Sequence, residues 1–250
     1  MERALYDYLL RRGDDSLILS QRLSEWCGHA PTIEVDLSLA NLGLDLLGQA
    51  TLFLDYAASM NADVHNADAL AFHRDAAEFR NCLLVEQPNG DFAQTIVRQF
   101  LYSTWQKMLF DRLAFSKDPT VAAIAAKAVK EISYHADLSA DWMIRLGGGT
   151  DESNRRLKAG VEWMWRLVPE LLVTDEIDNE LITKDIAPDP ASFETDFMTK
   201  IAEVFAEAGL DVSPLPRNFA SGRRGYHSEH LGHLLCTMQY LPRAYPDAQW

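Results

Sequence analysis

The sequence predicts an all-α protein built on a bundle of four long helices, with additional helices toward the C-terminus. Apolar residues recur at steps of three and four, and the alternation expected of strands is almost absent. Two stripes at this helical period carry the prediction. The first comprises Val35, Leu39, Leu42, Leu46, Gln49, Phe53 and Tyr56, and the second Val121, Ala125, Ala128, Ile132, His135, Ser139, Trp142 and Leu146.

The same period, together with turn-forming residues, sets the expected bounds of the other helices. Gly13-Asp14-Asp15 supplies a turn and N-cap candidates for a first helix over residues 16–27. A third helix is expected over 91–116, between two turns. The glycines at 147–149 are predicted to end the fourth helix in the left-handed conformation. Three further helices are expected around residues 157–171, 193–208 and 231–241.

Composition and charge restrict the class of protein. The chain has 250 residues, of which 48% are hydrophobic and 24% charged, and this is enough for one helical domain over 1–250. A net charge of −14 disfavours nucleic acid and anionic membranes as partners. Three scattered cysteines form no disulfide framework, the N-terminus lacks a signal-peptide pattern, and no uninterrupted apolar run approaches the ~20 residues that span a bilayer. We therefore expect a cytoplasmic protein.

Two of the helices have the spacing of a di-iron carboxylate bundle. Such a bundle needs one Glu on each of two helices and a Glu-x-x-His on each of the other two. The three-residue spacing places carboxylate and imidazole on one face, where oxygen ligands bridge the metals. The corresponding positions are Gln21 or Glu25 on the first helix, Leu46 and Gln49 on the second, Thr104 on the third, and Ile132 and His135 on the fourth.

Only Glu25 and His135 keep a ligand side chain at these positions, and two ligands cannot hold a di-iron centre. We expect His135 to be a core histidine, hydrogen-bonded to a neighbour such as Gln49 or Glu25. Leu46 and Ile132 are then core residues, because hydrocarbon avoids the desolvation cost of a buried ligand without metal. The sequence therefore predicts no metal ligand, cofactor-binding residue or catalytic residue in this chain.

A second histidine cluster lies near the C-terminus, in the segment His227-Ser228-Glu229-His230-Leu231-Gly232-His233. His230 and His233 share a helix face beside Glu229, so a metal site is one interpretation, although the HExxH order of a zinc protease is missing. We favour a helix start or a contact between subunits. The preceding Arg223-Arg224 pair is typical of a solvated loop, and contact with an acidic or phosphate-bearing surface is the alternative.

Five segments resemble a known family, and the likeness runs over nearly the whole chain. They are Ser20–Pro31, Leu44–Ala50, Leu83–Gly90, Glu229–Gly232 and the end of the chain from Met238. In these segments the chain resembles the C subunits of bacterial phenylacetyl-CoA epoxidases, which are multicomponent oxygenases of aerobic phenylacetate degradation. The resemblance implies a ferritin-like helical subunit that pairs with a homologous catalytic A subunit.

The resemblance also implies a division of labour between the subunits. The A subunit holds the di-iron centre and converts phenylacetyl-CoA to the ring 1,2-epoxide. A flavin and iron–sulfur reductase subunit supplies the electrons from NADPH. The C subunit supports the A subunit structurally and has no working metal site, in agreement with Leu46, Gln49 and Ile132 as interpreted from their spacing.

Two other functions stay open at this point. One is an autonomous metal-dependent oxidoreductase, with an unorthodox site at Glu25 and His135 or in the C-terminal histidine cluster. The other is an acyl-CoA carrier whose loop arginines, Arg217, Arg223 and Arg224, bind the phosphates of the ligand. For the structural role, an obligate interface would be large and rich in aromatic groups. Candidate contributors, each with core placement as the default, are Trp105, Trp163, Trp165 and Trp250; a homodimer of the isolated chain is a further alternative.

Overall fold

The computed structural model describes residues 2–217, 221–246 and 248. Helices make up 73% of the structure and the described residues contain no strand, so the prediction of an all-α, ferritin-like fold is confirmed. The α-helices are, in chain order, α1 (Glu2–Ser24), α2 (Ile33–Ser59), α3 (Ala67–Phe72), α4 (Leu83–Glu86), α5 (Phe92–Leu113), α6 (Pro119–Gly147), α7 (Asp151–Trp165), α8 (Glu176–Ile182), α9 (Glu194–Glu207), α10 (Glu229–Met238) and α11 (Tyr240–Ala244).

The chain forms two compact units. Unit 1 combines Met1–Pro88 with Ala220–Trp250, and unit 2 comprises Asn89–Phe219. The prediction of a single domain over residues 1–250 stays a prediction.

Each unit contains one pair of long, packed helices. In unit 1, α1 and α2 run antiparallel, since Gly13 faces Leu54 whereas Gly43 accepts a hydrogen bond from Ser20 Oγ at 2.7 Å. In unit 2, α5 and α6 are joined by a short connection, and the ring of Phe92 lies 5.0 Å from that of Trp142 at the opposite end.

The two predicted apolar stripes are buried faces of α2 and α6. Every stripe member from Val35 to Phe53 is buried on α2, and every member from Val121 to Ser139 is buried on α6. Only the last members of each stripe are half-buried. Removing one such leucine or phenylalanine side chain from water stabilises the fold by about 1.5–3 kcal/mol. The stripes therefore supply much of the apolar core in both units.

The predicted start of the first helix at residue 16 is wrong. α1 runs without a break from Glu2 to Ser24, through Gly13-Asp14-Asp15. A Cβ at Gly13 would lie 2.6 Å from Leu54 Cδ2, so glycine permits close packing of α1 on α2. The two aspartates are buried in ion pairs instead of capping a helix. These residues thus serve packing and charge pairing within the helix.

The glycine run ends α6 at the predicted place, but by a different means. The C-cap is Gly148, whose φ of −89° is not left-handed. Packing accounts for Gly147, because a Cβ there would lie 2.1 Å from the carbonyl oxygen of Ala208, just beyond α9. The glycine run is therefore a site of close approach between two segments of unit 2.

The later helices are shorter than predicted. The helix expected around 157–171 ends at Trp165, and a 3₁₀ segment, Val168–Leu172, follows it. The helix expected around 231–241 is divided at Gln239 into α10 and α11. The short helices α3, α4 and α8 are not part of the sequence-based prediction.

Among the described residues, α2 is the helix that is long and apolar enough to cross a membrane, by length and composition alone. In its most apolar 18-residue window, 44% of the residues are buried inside the protein. Part of this apolar surface therefore belongs to the core.

Candidate functional site

In unit 1, the predicted di-iron positions lie on α1, on α2 and just after α1. Leu46 is fully buried and Gln49 is 2% exposed, whereas Gln21 is half-buried. Glu25 follows the last residue of α1 and is exposed, with its carboxylate 2.9 Å from Arg22 Nη1. Glu25 is therefore a surface ion-pair partner.

In unit 2, the three corresponding positions are buried. Thr104 lies on α5, and Ile132 and His135 share the buried face of α6, as their spacing predicts. The main-chain carbonyl of His135 accepts a hydrogen bond from Ser139 Oγ at 2.7 Å. The centroid of the His135 ring lies 6.5 Å from the centroid of the Tyr134 ring. His135 is thus a core residue by burial, and its predicted hydrogen bond to Gln49 or Glu25 stays a prediction.

The donor atoms at these positions do not fit a di-iron centre. Leu46 and Ile132 have hydrocarbon side chains, and Gln49 and Thr104 are neutral, so none supplies the carboxylates that bridge two irons. Across the part of the chain that the structure describes, no group of three or more His, Cys, Asp and Glu side chains is placed to hold a metal ion.

A buried cluster of charged side chains occupies unit 1, and sequence reasoning missed it. Its first pair is Asp14, which is fully buried on α1, and Arg74, which follows α3. Both Nη atoms of Arg74 donate to the Asp14 carboxylate, Nη1 at 3.0 Å, which is the two-pronged geometry favoured by guanidinium and carboxylate. The backbone N–H of Arg80 donates to the same carboxylate at 2.8 Å. Arg74 also stacks over the ring of Phe79, 4.3 Å from its centroid.

The second pair of the cluster joins α1 to the C-terminal part of unit 1. Asp15 is fully buried, and its Oδ2 accepts a hydrogen bond from Arg223 Nη2 at 2.9 Å. Its other oxygen accepts from the backbone N–H of Cys82 at 2.7 Å, and Arg12 lies 3.3 Å away. The interpretation of Arg223 as a solvated loop residue is therefore wrong: it is buried because it neutralises a core carboxylate. Its neighbour Arg224 is exposed, as expected.

The third centre of the cluster is Glu86, whose carboxylate is fully buried at the end of α4. It accepts hydrogen bonds from His227 Nδ1 at 2.7 Å, from the backbone N–H and hydroxyl of Ser228 at 2.6 and 2.8 Å, and from Asn81 Nδ2 at 2.8 Å. Both oxygens are therefore satisfied. A single side chain thus holds the segment that leads into α10.

The surroundings of His227 favour its protonated form. Its Nδ1 faces the Glu86 carboxylate, and its Nε2 lies 3.0 Å from the carbonyl oxygen of Phe79. Two oxygen atoms around one ring favour protonation of both nitrogens. Burial opposes this by lowering the pKa of His227, but the hydrogen bond and charge of Glu86, together with the Phe79 carbonyl, raise that pKa on balance.

The remaining histidines of this segment are placed differently. Ser228 occupies the N-cap position of α10, which begins at Glu229, so the predicted helix start is confirmed. The carbonyl of His230 accepts a hydrogen bond from Arg22 Nη2 at 3.0 Å, and His233 is exposed. Of the three histidines, His227 therefore has a structural role, through its hydrogen bond with Glu86.

Each unit also has an open groove. In unit 1, a groove of about 640 Å³ lies along α10 and α11, lined by Asp75, Leu235, Cys236, Tyr240 and Arg243 among others. In unit 2, a groove of about 410 Å³ lies between α7 and the segment after α9, lined by Val161, Trp165, Phe205, Leu210 and Pro214 among others. Neither groove is lined by a predicted di-iron position.

The tryptophans proposed as interface residues divide into three groups. Trp105 and Trp165 are buried, so core placement holds for both. Trp163 is 39% exposed, and the guanidinium of Arg166 lies 4.1 Å from its ring centroid. Trp250 lies outside the described residues.

These features define the chain as an all-α, ferritin-like protein, and the predicted di-iron positions Leu46, Gln49, Thr104 and Ile132 carry side chains that are not carboxylates or imidazoles. The chain belongs to the family described as phenylacetic acid catabolic protein, whose model matches residues 1–250. It is similar to the C subunit of the 1,2-phenylacetyl-CoA epoxidase of Escherichia coli (strain K12). The two are 49% identical over 243 residues, which cover 97% of this chain and 98% of the relative. The resemblance inferred from the sequence is thus confirmed.

Proposed function

We propose that this chain is the non-catalytic, structural subunit of a multicomponent phenylacetyl-CoA 1,2-epoxidase, and that it supports a homologous di-iron catalytic A subunit in the cytoplasm. The relative is named as the C subunit of such an epoxidase, which supports membership of the same complex. Coverage of nearly the full length of both chains supports a role for the whole chain rather than for one segment of it.

One observation carries the non-catalytic part of the proposal. Hydrocarbon side chains, Leu46 and Ile132, occupy the two positions where a Glu-x-x-His motif would place its carboxylates, and both are fully buried. A buried carboxylate without metal would be costly, whereas leucine and isoleucine contribute to the core. The two positions therefore stabilise the fold, and the imidazole of His135 is left without bridging oxygen ligands beside it on α6.

The rest of the reaction then belongs to other subunits. Oxygen activation and binding of phenylacetyl-CoA are assigned to the A subunit, and delivery of electrons from NADPH to a reductase subunit. The present chain contributes no cofactor in this scheme and acts by stabilising the A subunit through a large interface.

The two alternative functions have less support. An acyl-CoA carrier would use Arg223 to bind phosphate, but this guanidinium is buried against the Asp15 carboxylate. An autonomous metalloenzyme would use Glu25 and His135, of which the first is an exposed partner of Arg22 and the second a buried core residue. Its other site, at His230 and His233, belongs to no group of three or more ligand side chains among the described residues.

The first test is the metal content of the purified subunits. This chain is purified together with the A subunit of the same organism, and each subunit is also purified alone, and iron is measured by plasma mass spectrometry. We expect a stable complex with iron confined to the A subunit. About two irons per copy of this chain, the stoichiometry of a di-iron bundle, would make it an enzyme in its own right.

Two conservative variants sharpen the test. In Glu25→Gln and His135→Gln, the remaining ligand side chains are replaced by amides of similar shape. Within the complex, both variants are expected to keep the epoxidation rate of the wild type within about twofold, because neither group contacts reacting atoms. A loss of a hundredfold or more in both variants, with the complex intact, would contradict the proposal.

A further inference from the structure

α2 has a second apolar face in addition to the one in the core. Ile33, Leu37, Leu44 and Leu47 are 72, 61, 65 and 40% exposed, and their spacing places them along one side of the helix. We call these four residues the outer face of α2. A surface helix of a globular protein ordinarily carries polar residues on this side. A row of exposed large apolar side chains indicates that something covers it.

Gly48, beside this row, has open space around it in the part of the chain that the structure describes. A Cβ at Gly48 would meet no atom of the described residues within 4 Å, whereas a Cβ at Gly43 on the same helix would lie 3.6 Å from the carbonyl oxygen of Ser20. Glycine in the middle of a helix is unfavourable compared with alanine. Glycine at position 43 is explained by the contact between α1 and α2, whereas no contact among the residues that the structure describes explains glycine at position 48. A small residue on an exposed apolar face allows the backbone of a second helix to approach closely.

The charges along α2 restrict what the second helix is. α2 carries four acidic residues and no basic ones, and two of the four, Glu34 and Asp55, are exposed. Two copies of this face would bring like charges together along their borders, which disfavours self-association. A complementary surface has an apolar centre bordered by lysine and arginine side chains. An anionic membrane surface is disfavoured by the same charges.

The area of the outer face indicates how much of a protein–protein interface it could supply. The outer face runs from Ile33 to Leu47, about 22 Å along α2, so a strip about 10 Å wide covers roughly 220 Å². A standard interface buries roughly 800 Å² on each partner. The outer face would therefore supply about a quarter of one side of such an interface, with adjacent surfaces supplying the remainder.

We infer that the outer face of α2 is the docking surface for the catalytic partner subunit, which presents a helix with an apolar centre and basic borders. The inference rests on the proposed function and adds the surface through which that function operates. Gly48 marks the point of closest approach between the two helices.

The test compares affinities for the purified A subunit by interferometry, with the full-length chain immobilised. In Leu44→Asp, a charge is placed in the centre of the outer face, and Phe115→Asp, at a residue 87% exposed in unit 2, is the matched control. We expect Leu44→Asp to weaken binding by about 30-fold or more, as for a central interface residue, and the control to change it by less than about threefold. Both substituted residues are exposed, so both variants should fold.

A third variant separates folding from docking. Gly48→Leu improves helix propensity where space is open, so the melting temperature of the isolated chain should rise. The same side chain should obstruct the partner helix and weaken the complex by about tenfold or more. A more stable chain that binds less well is not explained by misfolding.

Each other outcome has a definite meaning. If the wild type binds the A subunit and Leu44→Asp and Gly48→Leu bind equally well, the docking surface is elsewhere and the proposed function stands. If the wild type does not bind, the proposed function fails and the inference fails with it. If sedimentation shows that the isolated chain is a dimer and Leu44→Asp a monomer, the occupant is a second copy and the inference is wrong.

Discussion

Removal of one carboxylate from the buried cluster of unit 1 should destabilise the protein strongly. The variant Asp14→Leu leaves the guanidinium of Arg74, whose side chain is 9% exposed, without its counter-charge. Breaking one side of a buried ion pair costs about 3–5 kcal/mol. The backbone N–H of Arg80, which donates to Asp14 at 2.8 Å, also loses its acceptor in this variant. That loss costs about 1–3 kcal/mol, which is part of the total.

The double variant Asp14→Leu/Arg74→Leu tests whether the unpaired charge is the cause. With both charges replaced by hydrocarbon, only the Arg80 N–H and imperfect packing remain, so the cost should fall to about 1–3 kcal/mol. For a chain of this size, each kcal/mol lowers the melting temperature by about 2–4 °C. The single variant should therefore melt about 6–20 °C below the wild type, and the double variant should recover part of this loss.

Thermal unfolding followed by circular dichroism, with urea unfolding as a second measure, gives both values. The matched control is Lys107→Ala, which breaks an exposed pair with Asp111 at 2.7 Å and should change stability by less than about 0.5 kcal/mol. The reasoning is refuted if Asp14→Leu costs less than about 1 kcal/mol, or if the double variant is no more stable than the single one.

Three more predictions concern single sites. Because the folded-state pKa of His227 is raised above its usual value of 6.5, its contribution to stability is fully present below pH 6.5 and is lost as the pH rises through the folded pKa. The free energy of unfolding in urea should therefore fall above pH 6.5, by at most about 1.4 kcal/mol per pH unit from this group. This pH dependence should be absent in Glu86→Gln. Gly147→Ala should lower stability by about 1–3 kcal/mol in the same assay, because its Cβ would collide with the main chain of Ala208; no change would mean that α6 and α9 can separate freely. Phe205→Ala should cost about 3–5 kcal/mol in a thermal melt, since the ring is fully buried with two other aromatic rings nearby, and a cost below about 1 kcal/mol would refute tight packing there.

The long helices could be predicted because their apolar period depends only on neighbours along the chain. Steps of three and four place Leu46 on the apolar face of α2 and Ile132 on the apolar face of α6. Both faces are buried because the hydrophobic effect removes them from water. The spacing also marks these two positions as those where carboxylates are expected, and the sequence has leucine and isoleucine there. Local pattern therefore gives the fold class, and the assignment of these two positions to a metal-ligand motif stays a prediction.

The charged cluster could not be predicted in the same way, because its partners are far apart in sequence. Asp14 and Arg74 are separated by 60 residues, and Asp15 and Arg223 by 208. Charged residues near a glycine are typical of a turn, so the local signal favoured a helix start after Asp15. Helical spacing from Leu9 to Leu19 passes through Arg12 and Ser16, which are polar, so the apolar period is interrupted at the point where α1 in fact continues.

The short helices and the end of α6 also depend on distant contacts. Glycine is needed at position 147 because a side chain there would collide with the main chain of Ala208. Local conformational preference cannot indicate such a contact. α4 has only four residues, and its last residue, Glu86, is fixed by hydrogen bonds to residues after position 226. Such elements exist because tertiary contacts hold them, and short isolated helices have little stability of their own.

The division of unit 1 between the two ends of the chain has a consequence for synthesis on the ribosome. Arg74 emerges soon after Asp14, so this pair can form early. Asp15 and Glu86 must wait for Arg223 and His227, until the whole of unit 2 has been translated. At about 5–20 residues per second this takes on the order of ten seconds or more, during which both carboxylates remain hydrated and unit 1 incomplete. Completion of the core is thus delayed until the last part of the chain is made, and a product terminated before Arg223 lacks the partners that Asp15 and Glu86 find in Arg223 and His227.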